Sequence, residues 1–236
     1  MPVLPALTPS AGCYALGYGT GVAAFAWMAR RRGLATAGVM AIMGAGLIGG
    51  LAGANLTQWA YGHFFGGEAG KTVLGGIAGG YLSVLLYKRY LGLRRPTGDL
   101  FAVAVSAGEA VGRWGCFFGG CCYGKVCDAA WAVHQHGAWR HPTQLYLSGA
   151  NALILVALWR FDKTRPPENG LWYLQGVLYC TARFVIEFFR EGPPPAWGLT
   201  GAQWACLAGF AFFSVRLTRL LRPPRPVAAT EAVPAR

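Results

Sequence analysis

Charge is what this sequence has least of. Only 13% of its 236 residues are Asp, Glu, Lys or Arg, where a soluble domain carries roughly 25%. With 54% hydrophobic residues, that excludes an ordinary soluble domain and points to a chain dissolved largely in lipid. A basic face is missing as well. The net charge of +12 comes from Lys and Arg in short clusters between apolar runs, the pattern of loops against an anionic inner leaflet, so no nucleic acid is expected as a partner. The 35 glycines lack the strand-turn-helix context of a phosphate-cradling loop. Gly46, Gly50 and Ala54 instead recur at four-residue spacing, as do Gly75 with Gly79 and Gly76 with Gly80, which suits close helix packing. No basic region precedes the first apolar window, so no cleavable signal is expected. No internal repeat of the transporter kind occurs either.

What is present is a series of apolar windows: Ala11–Ala29, Leu34–Ala54, Thr72–Tyr87, Leu100–Phe118, Pro142–Trp159, Leu171–Phe189 and Trp197–Val215. Most approach the roughly 20 residues that a membrane span requires. The expected fold is all-α, one polytopic bundle of seven spans over residues 1–221, followed by a disordered tail over 222–236. Basic residues decide the orientation. Fifteen follow the odd-numbered windows, four lie in the opposite segments, and Arg113 and Arg183 fall inside windows. The positive-inside rule then places the N-terminus outside and the C-terminus in the cytoplasm.

Charges inside a span are costly and mark candidate functional positions. Glu109 and Arg113 stand at i and i+4 on the fourth window, where they can pair. Tyr179, Arg183, Glu187 and Arg190 share one face of the sixth window by their steps of four, four and three residues. From the pattern alone a buried ion-pair network that only fixes helix register remains an alternative. The expected topology favours a site: the fourth and sixth spans both run outward, and the fifth re-enters from outside at His141-Pro142-Thr143-Gln144. Arg, Glu, His, Gln and Tyr thus meet at one leaflet. Guanidinium groups at headgroup depth suit bidentate binding of phosphate and stabilise a phosphate leaving group, so a phospholipid is the expected ligand.

Here the chain resembles a family. Gly112-Arg113-Trp114-Gly115-Cys116-Phe117-Phe118, with Gly120 and Gly124 after it, is similar to the signature GRxGNFxNGExxG of bacterial prolipoprotein diacylglyceryl transferases. Arg140 to Tyr146 resembles that family's HPSQLYE stretch, and Tyr179 to Arg190 its YxxxRFxxEFxR stretch. The resemblance implies transfer of the diacylglyceryl group of phosphatidylglycerol to the lipobox cysteine thiol of an exported prolipoprotein, at the outer leaflet of the bacterial inner membrane. It implies no cofactor. Arg113 and Arg183 would bind the phosphate, with Tyr179 and Glu187 beside the reacting centre. Gly115, Gln144, Tyr146 and Arg190 would complete the substrate site.

The departures are specific. Cys116, Gly119 and Cys121 stand where the family pattern has Asn, Asn and Glu, and Leu147 replaces the Glu closing the fifth-span motif. The family's candidate base, a His before a Gly-Gly pair, aligns with Leu74. These differences admit a paralogue with another acceptor or a catalytically idle lipid-binding protein. His141, Tyr179 and Glu187 are the candidates to replace that base, and His141 is the easiest fit because an imidazole titrates near 6.5 in water; its alternative is an anchoring residue before Pro142. His134 and His136 read as plain loop residues. Cys116, Cys121, Cys122 and Cys127 form a C-x4-C-C-x4-C cluster that matches no standard zinc spacing, so no metal is expected. A disulfide involving Cys127 is expected in an oxidising compartment.

Overall fold

Each apolar window folds as a helix in the computed structural model, which describes residues 8–65, 73–192 and 197–222. The helices are α1 (Pro9–Arg31), α2 (Ala37–Phe65), α3 (Val73–Tyr90), α4 (Gly98–Phe118), α5 (Thr143–Asp162), α6 (Gly170–Glu187) and α7 (Gly201–Leu221). Among the described residues the remaining regular structure is one antiparallel hairpin, β1 (Val133–Gln135) with β2 (Ala138–Arg140), inside the α4–α5 connection. The tail expected to be disordered lies outside the described residues from 223 onward. Local sequence sets the helix starts. Thr8 accepts from the Ala11 N–H ahead of Pro9, where the missing proline N–H costs nothing. Thr200 and Gln203 form a reciprocal capping box, which satisfies two otherwise orphaned donors.

Helix α4 is the hub, packed against α1, α5 and α6, while α2 pairs with α3 and α7 with α6. Glycine permits the two tightest approaches. A Cβ on Gly17 of α1 would lie 2.7 Å from the Gly112 Cα of α4. Between α2 and α3, a Cβ on Gly80 would lie 3.1 Å from the Gly46 carbonyl and one on Gly76 3.4 Å from that of Gly50. The four-residue glycine spacing is therefore helix packing, as expected.

The apolar core, built on Phe25, Met28, Leu100, Leu158 and Leu171, sits toward one end of the bundle and is closed there by charge. Arg32 bridges Asp99 at 3.2 Å and Asp162 at 2.6 Å, and Arg31 reaches Asp162 at 3.2 Å. Asp99 also accepts from the Asn169 and Trp172 N–H groups, each at 3.1 Å. This ties α1, α4, α5 and the start of α6 together, so arginines that sequence analysis counted only as loop charge also clamp four helices. Away from the core, large apolar side chains face outward, including Ile48, Leu56, Ile77, Leu82 and Leu153. Soluble monomers rarely expose such area contiguously. Ala37–Ala60 and Gly201–Leu221 are long and apolar enough to cross a membrane.

Candidate active site

At the opposite end of the bundle, α4 and α6 bring their in-helix charges together. Glu109 Oε2 accepts from both Nε and Nη2 of Arg113 at 2.7 Å. On α6, Glu187 pairs with Arg183, lies 3.6 Å from Arg190 Nη1, and accepts from the Thr200 hydroxyl at 3.2 Å. Tyr179 lies close enough to both groups to feel the charges of Glu109, Arg113 and Arg183. The side chains of Arg113 and Arg183 are each only 12% exposed. A guanidinium carries five N–H donors in a planar fork, and Glu109 engages two groups of Arg113. Each buried arginine thus holds a fixed orientation with further donors available to an anion. This low-dielectric setting strengthens any charge-assisted bond made there.

The other sequence-selected residues take different places. His141 lies against Tyr146, with Nδ1 3.1 Å from the Tyr146 hydroxyl, and its ring packs edge-on to Phe189. The same hydroxyl accepts from the Trp131 indole N–H at 2.7 Å. These residues form an aromatic group beside the ion-pair cluster. Gln144 is fully buried, and its amide donates to the Cys121 carbonyl at 2.8 Å and to Gln135 Oε1 at 3.2 Å. Gly115 faces Tyr14, whose ring a Cβ at that position would meet at 2.8 Å. Gln144 is thus tied to the α4–α5 connection, and Gly115 packs against α1. Leu147 is buried in the core of the bundle.

The α4–α5 connection is clipped between α5 and the end of α6. Gly124 N–H donates to the His141 carbonyl at 3.1 Å, Lys125 N–H to that of Phe189 at 2.8 Å, and His141 N–H to that of Lys125 at 3.0 Å. A Cβ on Gly124 would stand 2.7 Å from His141 Cβ and 2.8 Å from the Phe189 oxygen, which explains the last glycine of the motif. Arg140 entered the sequence analysis only as the residue opening a motif stretch, with no role given to it, yet its guanidinium lies over the Tyr123 ring and bonds to the Gly124 and Gln135 carbonyls and to Glu191. His136, read as a plain loop residue, bonds through Nε2 to the Gly120 carbonyl at 2.6 Å. The signal for both was the Gln135-His136-Gly137-Ala138 turn between short β-prone segments.

All seven cysteines are free, so the disulfide expected at Cys127 is not formed. Cys127 donates its N–H to the Trp139 carbonyl beside β2, outside the group where Cys116, Cys121 and Cys122 meet with their Sγ atoms within 4.8 Å of one another. The Gly119-Gly120 turn folds the chain back so that Cys121 N–H reaches the Cys116 carbonyl at 3.1 Å. Hydrogen bonds with the Cys116 and Cys121 thiols, then the charges of Arg190 and Arg113, pull the Cys122 thiol well below the usual thiol range. The Cys121 thiol is pushed up, first by its hydrogen bond with Cys116.

The chain has known relatives. It is similar to the phosphatidylglycerol–prolipoprotein diacylglyceryl transferase of Aliarcobacter butzleri, with 36% identity over 109 residues, 45% of this chain and 39% of that protein. Its counterpart in Campylobacter curvus is 34% identical over 129 residues, 54% of this chain and 48% of that protein. The one in Bordetella avium is 34% identical over 173 residues, 66% of this chain and 65% of that protein. The alignments thus span less than two thirds of these relatives' own length. The sequence pattern of one family extends further, matching residues 6–218. With the arginine-bearing motifs of α4 and α6 facing each other inside that match, the chain belongs to the prolipoprotein diacylglyceryl transferase family.

Proposed function

We propose that this protein transfers the diacylglyceryl group of phosphatidylglycerol to the lipobox cysteine thiol of exported prolipoproteins. The observation that carries this reading is that Arg113 and Arg183, from two helices, both lie within electrostatic reach of Tyr179. Family membership supplies the reaction class. The lipid phosphate would be held by the guanidinium forks of Arg113 and Arg183, with Arg190 beside them and Glu109 and Glu187 fixing their orientation. The acceptor sulfur attacks the glyceryl carbon that carries the phosphate ester. A C–S bond forms, the C–O bond breaks, and glycerol phosphate departs with the electron pair into the arginine cluster. A thiol titrates near 8.5 in water, so its proton must first be removed; His141, braced by Tyr146, is the base in this scheme, since an imidazole accepts protons near neutral pH. Fixed donors of this kind typically contribute about 100- to 1,000-fold to a rate.

In the same reading all seven helices cross the bacterial inner membrane, N-terminus outside and C-terminus in the cytoplasm. The excess of basic residues after the odd-numbered windows and the outward-facing apolar side chains support it. It puts the site in the outer leaflet, where an exported cysteine emerges, and surrounds the bundle with membrane lipids. The test is mass spectrometry of purified protein incubated with phosphatidylglycerol vesicles and a lipobox peptide. The expected product is the diacylglyceryl thioether with equimolar glycerol phosphate. An unmodified peptide with intact lipid, across acceptor sequences and pH, would refute the reading.

A further inference from the structure

The transfer proposed above makes no use of the thiols of Cys116, Cys121 and Cys122, and side chains from α5 and the β-hairpin hold the backbone around the last two still. The Gly120 carbonyl is bound by His136, that of Cys121 by Gln144 and that of Cys122 by the Thr143 hydroxyl at 2.7 Å. Cys122 sits at φ 58°, a left-handed conformation that a non-glycine residue keeps only when its surroundings impose it. The result is three sulfurs converging from a helix end and a reversed turn, all within 4.8 Å of one another. A tetrahedral ion with metal–sulfur bonds of about 2.3 Å sets its sulfurs about 3.8 Å apart, a contraction that small side-chain rotations provide. Tyr14 adds an outer layer: its hydroxyl donates to Cys116 Sγ at 3.3 Å and lies 3.7 Å from Cys121 Sγ. Such donors orient and tune metal-bound sulfur.

We propose that Cys116, Cys121 and Cys122 form a three-sulfur site for a soft, thiophilic d10 cation of the zinc, cadmium or cuprous class. A donor set of sulfur alone selects such ions against magnesium, calcium and manganese, which prefer oxygen. Charge is consistent. Three thiolates around a divalent ion leave one net negative charge, and Arg113 and Arg190 lie close enough to act on Cys122 electrostatically. The competing use of the same sulfurs is a disulfide between two of them.

The test uses the full chain purified in detergent under reducing conditions, with Cd²⁺ as the probe, and reads metal rather than transfer. Retained cadmium is measured by elemental mass spectrometry after gel filtration, and thiolate coordination by the near-ultraviolet charge-transfer band. Native protein is expected to retain one equivalent. Cys121→Ser, at an exposed position, should elute unchanged yet bind at least about 100-fold more weakly, and Tyr14→Phe about 10-fold more weakly. Cys127→Ser and Cys13→Ser should bind as the native protein does. No retained cadmium, equal retention by Cys121→Ser and Cys122→Ser, or loss with Cys127→Ser would each overturn the site. So would a disulfide joining two of the three thiols in metal-free protein isolated without reductant. A silent transfer assay with cadmium retained would overturn only the transferase reading.

Discussion

Arg183→Ala separates an arginine that binds phosphate from one that merely neutralises Glu187. In the native structure the Glu187 side chain is 10% exposed and is held by Arg183, by Arg190 at 3.6 Å and by Thr200 at 3.2 Å. Stripping one partner from a buried pair costs about 3–5 kcal/mol when the remaining charge is left alone. Arg190 and Thr200 remain here, so the loss should fall at or below the lower end of that range. The double variant Arg183→Ala/Glu187→Ala removes the orphaned carboxylate and should recover most of that stability. Transfer should behave differently. If Arg183 carries charge from the departing phosphate, both variants lose about 100- to 1,000-fold in rate, and restored stability restores nothing. Thermal unfolding in detergent gives the first quantity, and mass spectrometry of a lipobox peptide incubated with phosphatidylglycerol gives the second. A double variant that regains both stability and transfer would refute the phosphate role and leave Arg183 a partner of Glu187 only.

Three further outcomes follow from the same geometry. Gly124→Ala pushes a methyl group to 2.7 Å from His141 Cβ and 2.8 Å from the Phe189 oxygen; overpacking of this kind costs about 1–3 kcal/mol. Transfer should fall with the thermal midpoint, and an unchanged midpoint would show that the clip yields freely. His141→Gln should slow transfer at pH 7 and regain part of the rate as the pH rises through the acceptor thiol's range near 8.5, because direct ionisation then replaces the base. A loss independent of pH would remove His141 from that role. An impermeant thiol reagent should label Cys127 in intact spheroplasts; labelling only after lysis would reverse the proposed orientation and move the site to the other leaflet.

Motifs and elements were readable from the chain because they depend on local order. Apolar windows became helices, and the spacing of Glu109 with Arg113 and of Tyr179 with Arg183, Glu187 and Arg190 placed those residues on single helix faces, since a helix turn repeats every 3.6 residues. The glycine steps of α2 and α3 likewise announced close packing. What the order of residues could not disclose were contacts between segments distant along the chain. Arg31 and Arg32 looked like loop charge until α4 and α5 brought Asp99 and Asp162 to them. The last motif glycine had no visible reason until the His141 and Phe189 backbones closed on it. Gln144, expected at the substrate, is buried with its amide on the Cys121 carbonyl, a partner the local order of residues could not show. The three thiols matched no ligand spacing because their convergence depends on a helix end and a reversed turn pinned by α5 and the β-hairpin. Periodicity fixes which face of an element a side chain occupies; only the packing of elements decides what that face meets.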